Sequence, residues 1–192
     1  PRSVRAAGAW DRLCARFREQ MPAQAALWDQ YVAAALPADL EAALPAFDPA
    51  VAAATRNVSG TVIQALAKVL PNFVGGSADL APSTKTLIGQ GGSIGPGQYG
   101  GRNLHFGVRE HGMGALLNGL VLHGGFRAFG ATFFVFADYF RPAIRLAAIM
   151  QLPVIYVLTH DSYCVGEDGP THEPVEQLSS LDRKSTRLNS SH

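Results

Sequence analysis

The 192-residue sequence predicts an α/β fold: a parallel β-sheet with helices on both faces, preceded by a helical linker and truncated at the C-terminus. Three observations carry that expectation. From Thr55 onward, apolar residues at helical spacing alternate with short β-branched or aromatic runs, the pattern of helices laid against a parallel sheet. The length suits one α/β domain plus an appended segment, since domains usually hold roughly 100 to 200 residues. Hydrophobic residues make up 47% and charged residues 16%, so the chain has apolar surface to bury rather than the composition of a disordered segment.

Taken in order, residues 1–51 read as a helical linker between domains. Trp10, Leu13, Cys14 and Phe17 fall at helical spacing, and Leu27 and Tyr31 continue it until Pro37, Pro45 and Pro49 break the pattern. Val58, Val62, Ile63, Leu66, Val69 and Leu70 form the stripe of a helix ended by Pro71, and Phe73-Val74 leads into a loop, GGSADLAPS. Residues 85–102 are turn formers and read as a surface loop. NLHFGV is a short strand, REHGMGALLNGLVLH a helix, FRAFGATF a strand, and FVFADYFRPAIRLAAIM a long helix containing Pro142. PVIYVLT reads as a buried strand leading into HDSYCVGEDGPTHEP and a last helical stretch, PVEQLSSL.

Composition narrows the function classes. A net charge of +1 with scattered arginines gives no basic face for nucleic acid. Apolar stretches end well short of the ~20 residues a membrane span requires. Cys14 and Cys164 stand 150 positions apart, too far in sequence for a zinc knuckle or redox pair, which suits a reducing, cytoplasmic setting. The chain opens on Pro1 rather than Met, so its natural start is expected upstream.

In an open parallel sheet, ligands gather beyond the carboxyl ends of the strands. The expected edge carries SADL, Arg109-Glu110 and the segment from His160 to His172. Glu110 alone reads as an ordinary carboxylate at a helix start. With Gly107 and Gly112 beside it, another molecule can approach closely, and the carboxyl can share a proton with a ring nitrogen. Phe133, Phe136, Tyr139 and Phe140, spaced three, six and seven apart, read as one helical face, either core or the wall for a flat heteroaromatic ring. For THDSYCVGEDGPTHEP three readings compete: a solvated acidic loop, a metal site using His160, Asp168 and His172, or a substrate site. Eleven residues between the histidines match no standard zinc spacing. GGSADLAPS lacks a phosphate-loop signature, so it is a tight glycine turn or a backbone contact to phosphate.

In series, GGSADLAPS, GVREHGM, FFVFADYF and THDSYCVGEDGPTHEPVEQL resemble the pyrimidine-binding domain of transketolases, over roughly residues 52–181. The resemblance implies a thiamine-diphosphate-binding domain of pyrimidine type. Glu110 is similar to the glutamate that hydrogen-bonds the aminopyrimidine and favours the imino form that activates the cofactor. Phe133, Phe136 and Tyr139 match the aromatic pocket around that ring, with Asp79 and Leu80 bordering it. His160 and Asp168 match contacts to sugar hydroxyls, and His172 matches a residue that binds substrate and shuttles protons. Arg56 and Ser83 match positions gripping the sugar phosphate. The implied reaction moves a two-carbon ketol unit between ketose and aldose phosphates.

The family pattern also implies parts outside this chain. The GDG motif and distant Asn that hold Mg2+ (or Ca2+) and the diphosphate are absent here, and a second subunit of a homodimer is expected to supply them, so the isolated piece should be inactive. Tyr163-Cys164 is an unusual filling of the HDS-to-GEDG stretch and leaves sugar preference open. Residues 182–192, DRKSTRLNSSH, read as a non-native or disordered tail. Rival readings are dihydroxyacetone synthase or another thiamine-dependent ketol transferase, a non-catalytic subunit completing a partner's site, and a metal-dependent hydrolase.

Overall fold

The computed structural model describes residues 2–162, 165–166 and 168–184. Contacts divide the chain into two units, Pro1–Leu36 and Pro37–His192. The first is a helical hairpin of α1 (Arg2–Gln20) and α2 (Pro22–Val32). Trp10, Leu13, Cys14 and Phe17 share a face as their spacing requires, lining an apolar cavity with Ala25 and Trp28. Ala25 is the buried residue of α2, whereas Leu27 stays exposed.

The second unit begins inside the stretch expected to be linker. Leu40 in α3 (Leu40–Ala43) packs on the cluster that contains Ile63, Ala67 and Leu70 of and beside α4 (Thr55–Val69), which ties residues 37–51 to the α/β unit. The remaining elements are β1 (Phe73–Ser77), α5 (Ala81–Thr84), β2 (Asn103–His105), α6 (Glu110–His123), β3 (Arg127–Phe133), a 3₁₀ turn at Phe134–Phe136, α7 (Ala137–Ile149), β4 (Ile155–Thr159) and α8 (Gln177–Lys184). The helix α8 runs through 182–184, three residues into the segment expected to be tail, while residues 185–192 lie outside the described residues. Tyr163, Cys164 and Glu167 also lie outside them.

The four strands are parallel, in the order β2-β1-β3-β4. From β1 the chain steps outward to β2, then crosses back to β3 and on to β4. Right-handed crossovers moving in opposite directions must lie on opposite faces. One face accordingly holds α4 and Ile88 from the β1–β2 connection, packed on Phe73 and Phe129. The other holds Met113 and Leu117 of α6 and Phe140 and Ile144 of α7 against Ala128. On that second face buried Asn118 donates to the Ala143 carbonyl at 3.0 Å. Tyr156, whose phenol burial pushes up to about 12, donates to Asn118 Oδ1 at 3.4 Å.

Three expectations are corrected. Gly75 and Gly76 belong to β1 rather than a loop, because the strand is buried along its length between two neighbours and a Cβ at either position would run into the Phe129 or Leu104 carbonyl. The strand β4 is an edge strand with Ile155 exposed, not a fully buried one, since only β3 pairs with it among the described residues. The aromatic residues do not share one helical face. Phe133 ends β3, the next turn is 3₁₀, and Phe140 has non-helical backbone angles (φ −129°, ψ 16°) two residues before Pro142, so Phe140 turns into the core.

The 85–102 connection is a loop, as expected, but it is anchored. Asn103 receives the Ile88 N–H at 2.8 Å and donates to the Ile88 and Gly92 carbonyls, each at 2.9 Å. Arg102 donates to the carbonyl of Ala67 at 2.7 Å, closing the last turn of α4. On the far side, Gln177 is buried and donates to Asp138 Oδ2 at 2.9 Å, docking α8 onto α7.

Candidate functional site

All four strands deliver their following loops to one edge, and the polar residues singled out above lie in those loops, in α5, at the start of α6 or in α4. Between β1 and β3 the connections leave in opposite directions, which opens a crevice where such folds bind ligands. The crevice is a cleft of about 620 Å³ lined by Ala78, Asp79 and Leu80 after β1, residues 108–112 after β2, and Phe136 and Tyr139 after β3. It thus unites Glu110, Asp79, Leu80, Phe136 and Tyr139.

Glu110 is the first residue of α6 and is buried at 7% exposure. Its carboxylate faces no cationic or hydrogen-bonding partner among the described residues, so its acceptors remain for whatever fills the cleft. The entry to α6 is set by Gly107, whose φ of 66° lets the Arg109 N–H reach the Gly107 carbonyl at 2.8 Å. The Arg109 guanidinium donates to the Phe106 carbonyl at 2.7 Å and lies against Gly107. Gly107 is therefore demanded by the turn; Gly112 lines the Glu110 cleft, and Gly107 lines a smaller neighbouring one of about 380 Å³ with Ser77 and Asp79. Asp79 holds the left-handed conformation (φ 64°), in a turn tied by the Leu80 N–H donating to Ser77 Oγ at 3.1 Å.

A second cleft, of about 520 Å³, is lined by Thr55, Arg56, His160, Asp161 and Asp168 with neighbouring backbone. Arg56 Nη1 lies 2.9 Å from His160 Nε2, and Thr159 Oγ1 lies 2.9 Å from His160 Nδ1. Burial, and then the Arg56 charge, lower the His160 pKa from its usual 6.5, against the weaker pull of Asp168 and Asp161. The two clefts share a wall of rings: His160 stacks on Phe133 at 3.7 Å between centroids, and Phe133 stacks on Phe136 at 6.0 Å. His172 sets its edge against Phe136 at 5.3 Å and Phe133 at 6.1 Å, with Nδ1 2.7 Å from Thr171 Oγ1.

Ser83 sits on α5, its N–H donating to the Leu80 carbonyl at 3.0 Å, and is not among the residues lining the Arg56 cleft. Among the described residues no three His, Cys, Asp or Glu side chains gather closely enough to hold a metal ion. Nor is any described helix long and apolar enough to cross a membrane. Val108 and His111 line the Glu110 cleft without having been singled out. Their adjacency to Glu110 in sequence was the available signal.

A parallel sheet covered on both faces, with a buried carboxylate and aromatic side chains in a cleft at its switch point, defines an α/β domain of the open, doubly covered class. The chain belongs to the transketolase family: residues 51–184 match the family described as "Transketolase, pyrimidine binding domain". It is 58% identical over 172 residues to the transketolase of Geobacillus stearothermophilus, covering 90% of this chain and 26% of that protein. It is 52% identical to that of Physarum polycephalum over the same shares. Among solved structures, transketolase from Leishmania mexicana superposes with a TM-score of 0.88 at 43% identity, covering 92% of this chain and 26% of that one. Transketolase from Pichia stipitis, in complex with sedoheptulose-7-phosphate, gives 0.89 at 36% identity, covering 94% and 28%. The chain therefore spans about a quarter of the length of these relatives.

Proposed function

We propose that this chain is the pyrimidine-binding part of a transketolase, a transferase that moves a two-carbon ketol unit between ketose and aldose phosphates with thiamine diphosphate. The observation that carries the reading is Glu110, a buried carboxylate with unengaged acceptors in a cleft walled by Phe136 and Tyr139. The residues present fit the cofactor's aminopyrimidine: flat walls for the ring and one acceptor for its N–H.

When bound, thiamine diphosphate supplies the nucleophilic carbon and the electron sink. The chain's own residues orient and move protons. Glu110 holds a proton at the pyrimidine ring nitrogen, Phe136, Tyr139 and Phe133 fix the ring plane, and Asp79 and Leu80 border it. In the neighbouring cleft Arg56 offers a planar fork for a phosphate dianion, with Ser83 as a further hydroxyl. His160 and Asp168 meet sugar hydroxyls, and His172 binds substrate and passes protons. Mg2+ (or Ca2+) and the diphosphate would be held by residues beyond this chain, on a second subunit of a homodimer, in a cytoplasmic setting.

The test is Glu110→Gln in the full-length protein, assayed at saturating cofactor with a ketose phosphate donor. Loss of about 10²-fold or more in kcat is expected for removal of a group that carries the proton; an unaffected rate would sink the assignment.

A further inference from the structure

The loop that leaves β4 carries His172 and then returns to the body of the domain, where a buried amide ties it down. Gln177, the first residue of α8, is 3% exposed and uses both ends of its side chain. Its Oε1 accepts the Val175 N–H at 2.9 Å, the first backbone donor after Pro174, which has none. Its Nε2 donates to Asp138 Oδ2 at 2.9 Å, while Asp138 Oδ1 receives Arg141. Asp138 stands in the chain between Phe136 and Tyr139 of the Glu110 cleft, and His172 sets its ring edge against Phe136 at 5.3 Å. A single amide thus joins the backbone just beyond His172 to the turn that carries the ring wall.

Resting on the reading of His172 above as a residue that binds substrate, we propose that Gln177 is a positioning residue: it clamps the His172 loop to Asp138 and so sets where His172 stands relative to the ring wall. Gln177 is not among the residues lining either cleft, so it acts through His172 rather than by touching substrate. Phe134 and Ala137 seat the Asp138 turn in the core, so when the clamp opens the loop is the part that moves. The position calls for an amide because Val175 brings a donor and Asp138 an acceptor. A carboxylate at 177 would satisfy the first and repel the second.

The experiment compares Gln177→Glu, Gln177→Glu combined with Asp138→Asn, and His172→Ala in the full-length holoenzyme, reading kcat and KM for a phosphorylated ketose together with cofactor affinity. Gln177→Glu keeps the shape and the Val175 contact but sets two carboxylates face to face. It should lower kcat/KM about tenfold, mainly through KM, with cofactor affinity within about twofold of wild type. Adding Asp138→Asn returns a donor to the pair, its Nδ2 to Glu at 177 and its Oδ1 still to Arg141, and should restore kcat/KM to within about threefold. Gln177→Glu at the wild-type kcat/KM, whatever its stability, overturns the assignment. So does a double variant as impaired as the single one, or a cofactor affinity that falls as far as kcat/KM. If Gln177→Glu does not fold, Asp138→Asn alone takes its place, setting two amide donors against each other at a partly exposed side chain, with the same expected loss. Wild-type kinetics in His172→Ala would bring down the reading of His172 itself. Impaired His172→Ala beside an unimpaired Gln177→Glu would bring down Gln177 alone.

Discussion

Phe133, the last residue of β3, lies over the ring of His160, the first residue beyond β4, with centroids 3.7 Å apart at an interplanar angle of 29°. The parallel register sets this up by pairing Phe133 with Thr159 across the two strands. Phe133 itself lines neither cleft, but it backs a ring of each, because it also stacks on Phe136.

Replacing Phe133 should therefore disturb both ends of the site at once. Phe133→Ala is expected to cost about 3 kcal/mol of stability, the usual cost of deleting a buried phenyl ring. It should also weaken cofactor and sugar binding together. Denaturant titration and separate affinity measurements check this; loss confined to one ligand would count against the shared wall.

The depressed pKa of His160 gives a direction for pH dependence. The folded protein binds fewer protons there than the unfolded chain, whose His titrates near 6.5. Stability from neutral His160 is fully present above that value and is lost as pH falls through the lower, folded one. Wild-type protein should lose more stability between about pH 7.5 and about pH 5.5 than His160→Gln does, read from urea midpoints. Equal losses would contradict the environment described for this ring.

Asn103 is the anchor of the 85–102 connection. Asn103→Ala leaves the Ile88 N–H and two carbonyls without their partner, at a cost of about 3 kcal/mol for buried backbone groups. Hydrogen exchange at Ile88 should rise sharply, while α6 and α7 keep their protection.

In Gly76→Ala the added methyl meets the Leu104 carbonyl, part of the backbone of β2, which no rotamer change relieves. A loss of about 3 kcal/mol or more is expected, against the milder effect of most substitutions. Chemical denaturation that shows less than about 1 kcal/mol of loss would mean β2 yields easily at that point.

Much of this was legible in the chain. Alternating periodicity gave the parallel sheet with two covered faces, and the positions of Glu110 and His160 just past apolar runs placed them at one edge. What periodicity missed depended on neighbours in space. Gly75 and Gly76 look like loop residues until strands close on both sides. The 3, 6, 7 spacing of the aromatic residues assumes a single helix, whereas Phe133 ends a strand, a 3₁₀ turn follows and the backbone breaks at Phe140. PVIYVLT carries the composition of an inner strand, yet burial is decided by what pairs with it, and a linear pattern holds no record of that.

The break at Phe140 has a mechanical meaning for the site. Pro142 has no N–H, so the Asp138 carbonyl lacks its intrahelical donor, and the first turn of α7 is not bonded into the rest as a continuous rod. Phe140 and Ile144 clamp the body of the helix to the sheet, while Phe136 and Tyr139 ride on the segment ahead of the joint. Ahead of the break Phe134 and Ala137 are seated in the same core, whereas Tyr139 is 65% exposed at the cleft, so ring size at Tyr139 is a dial that substitution can turn without loosening the domain.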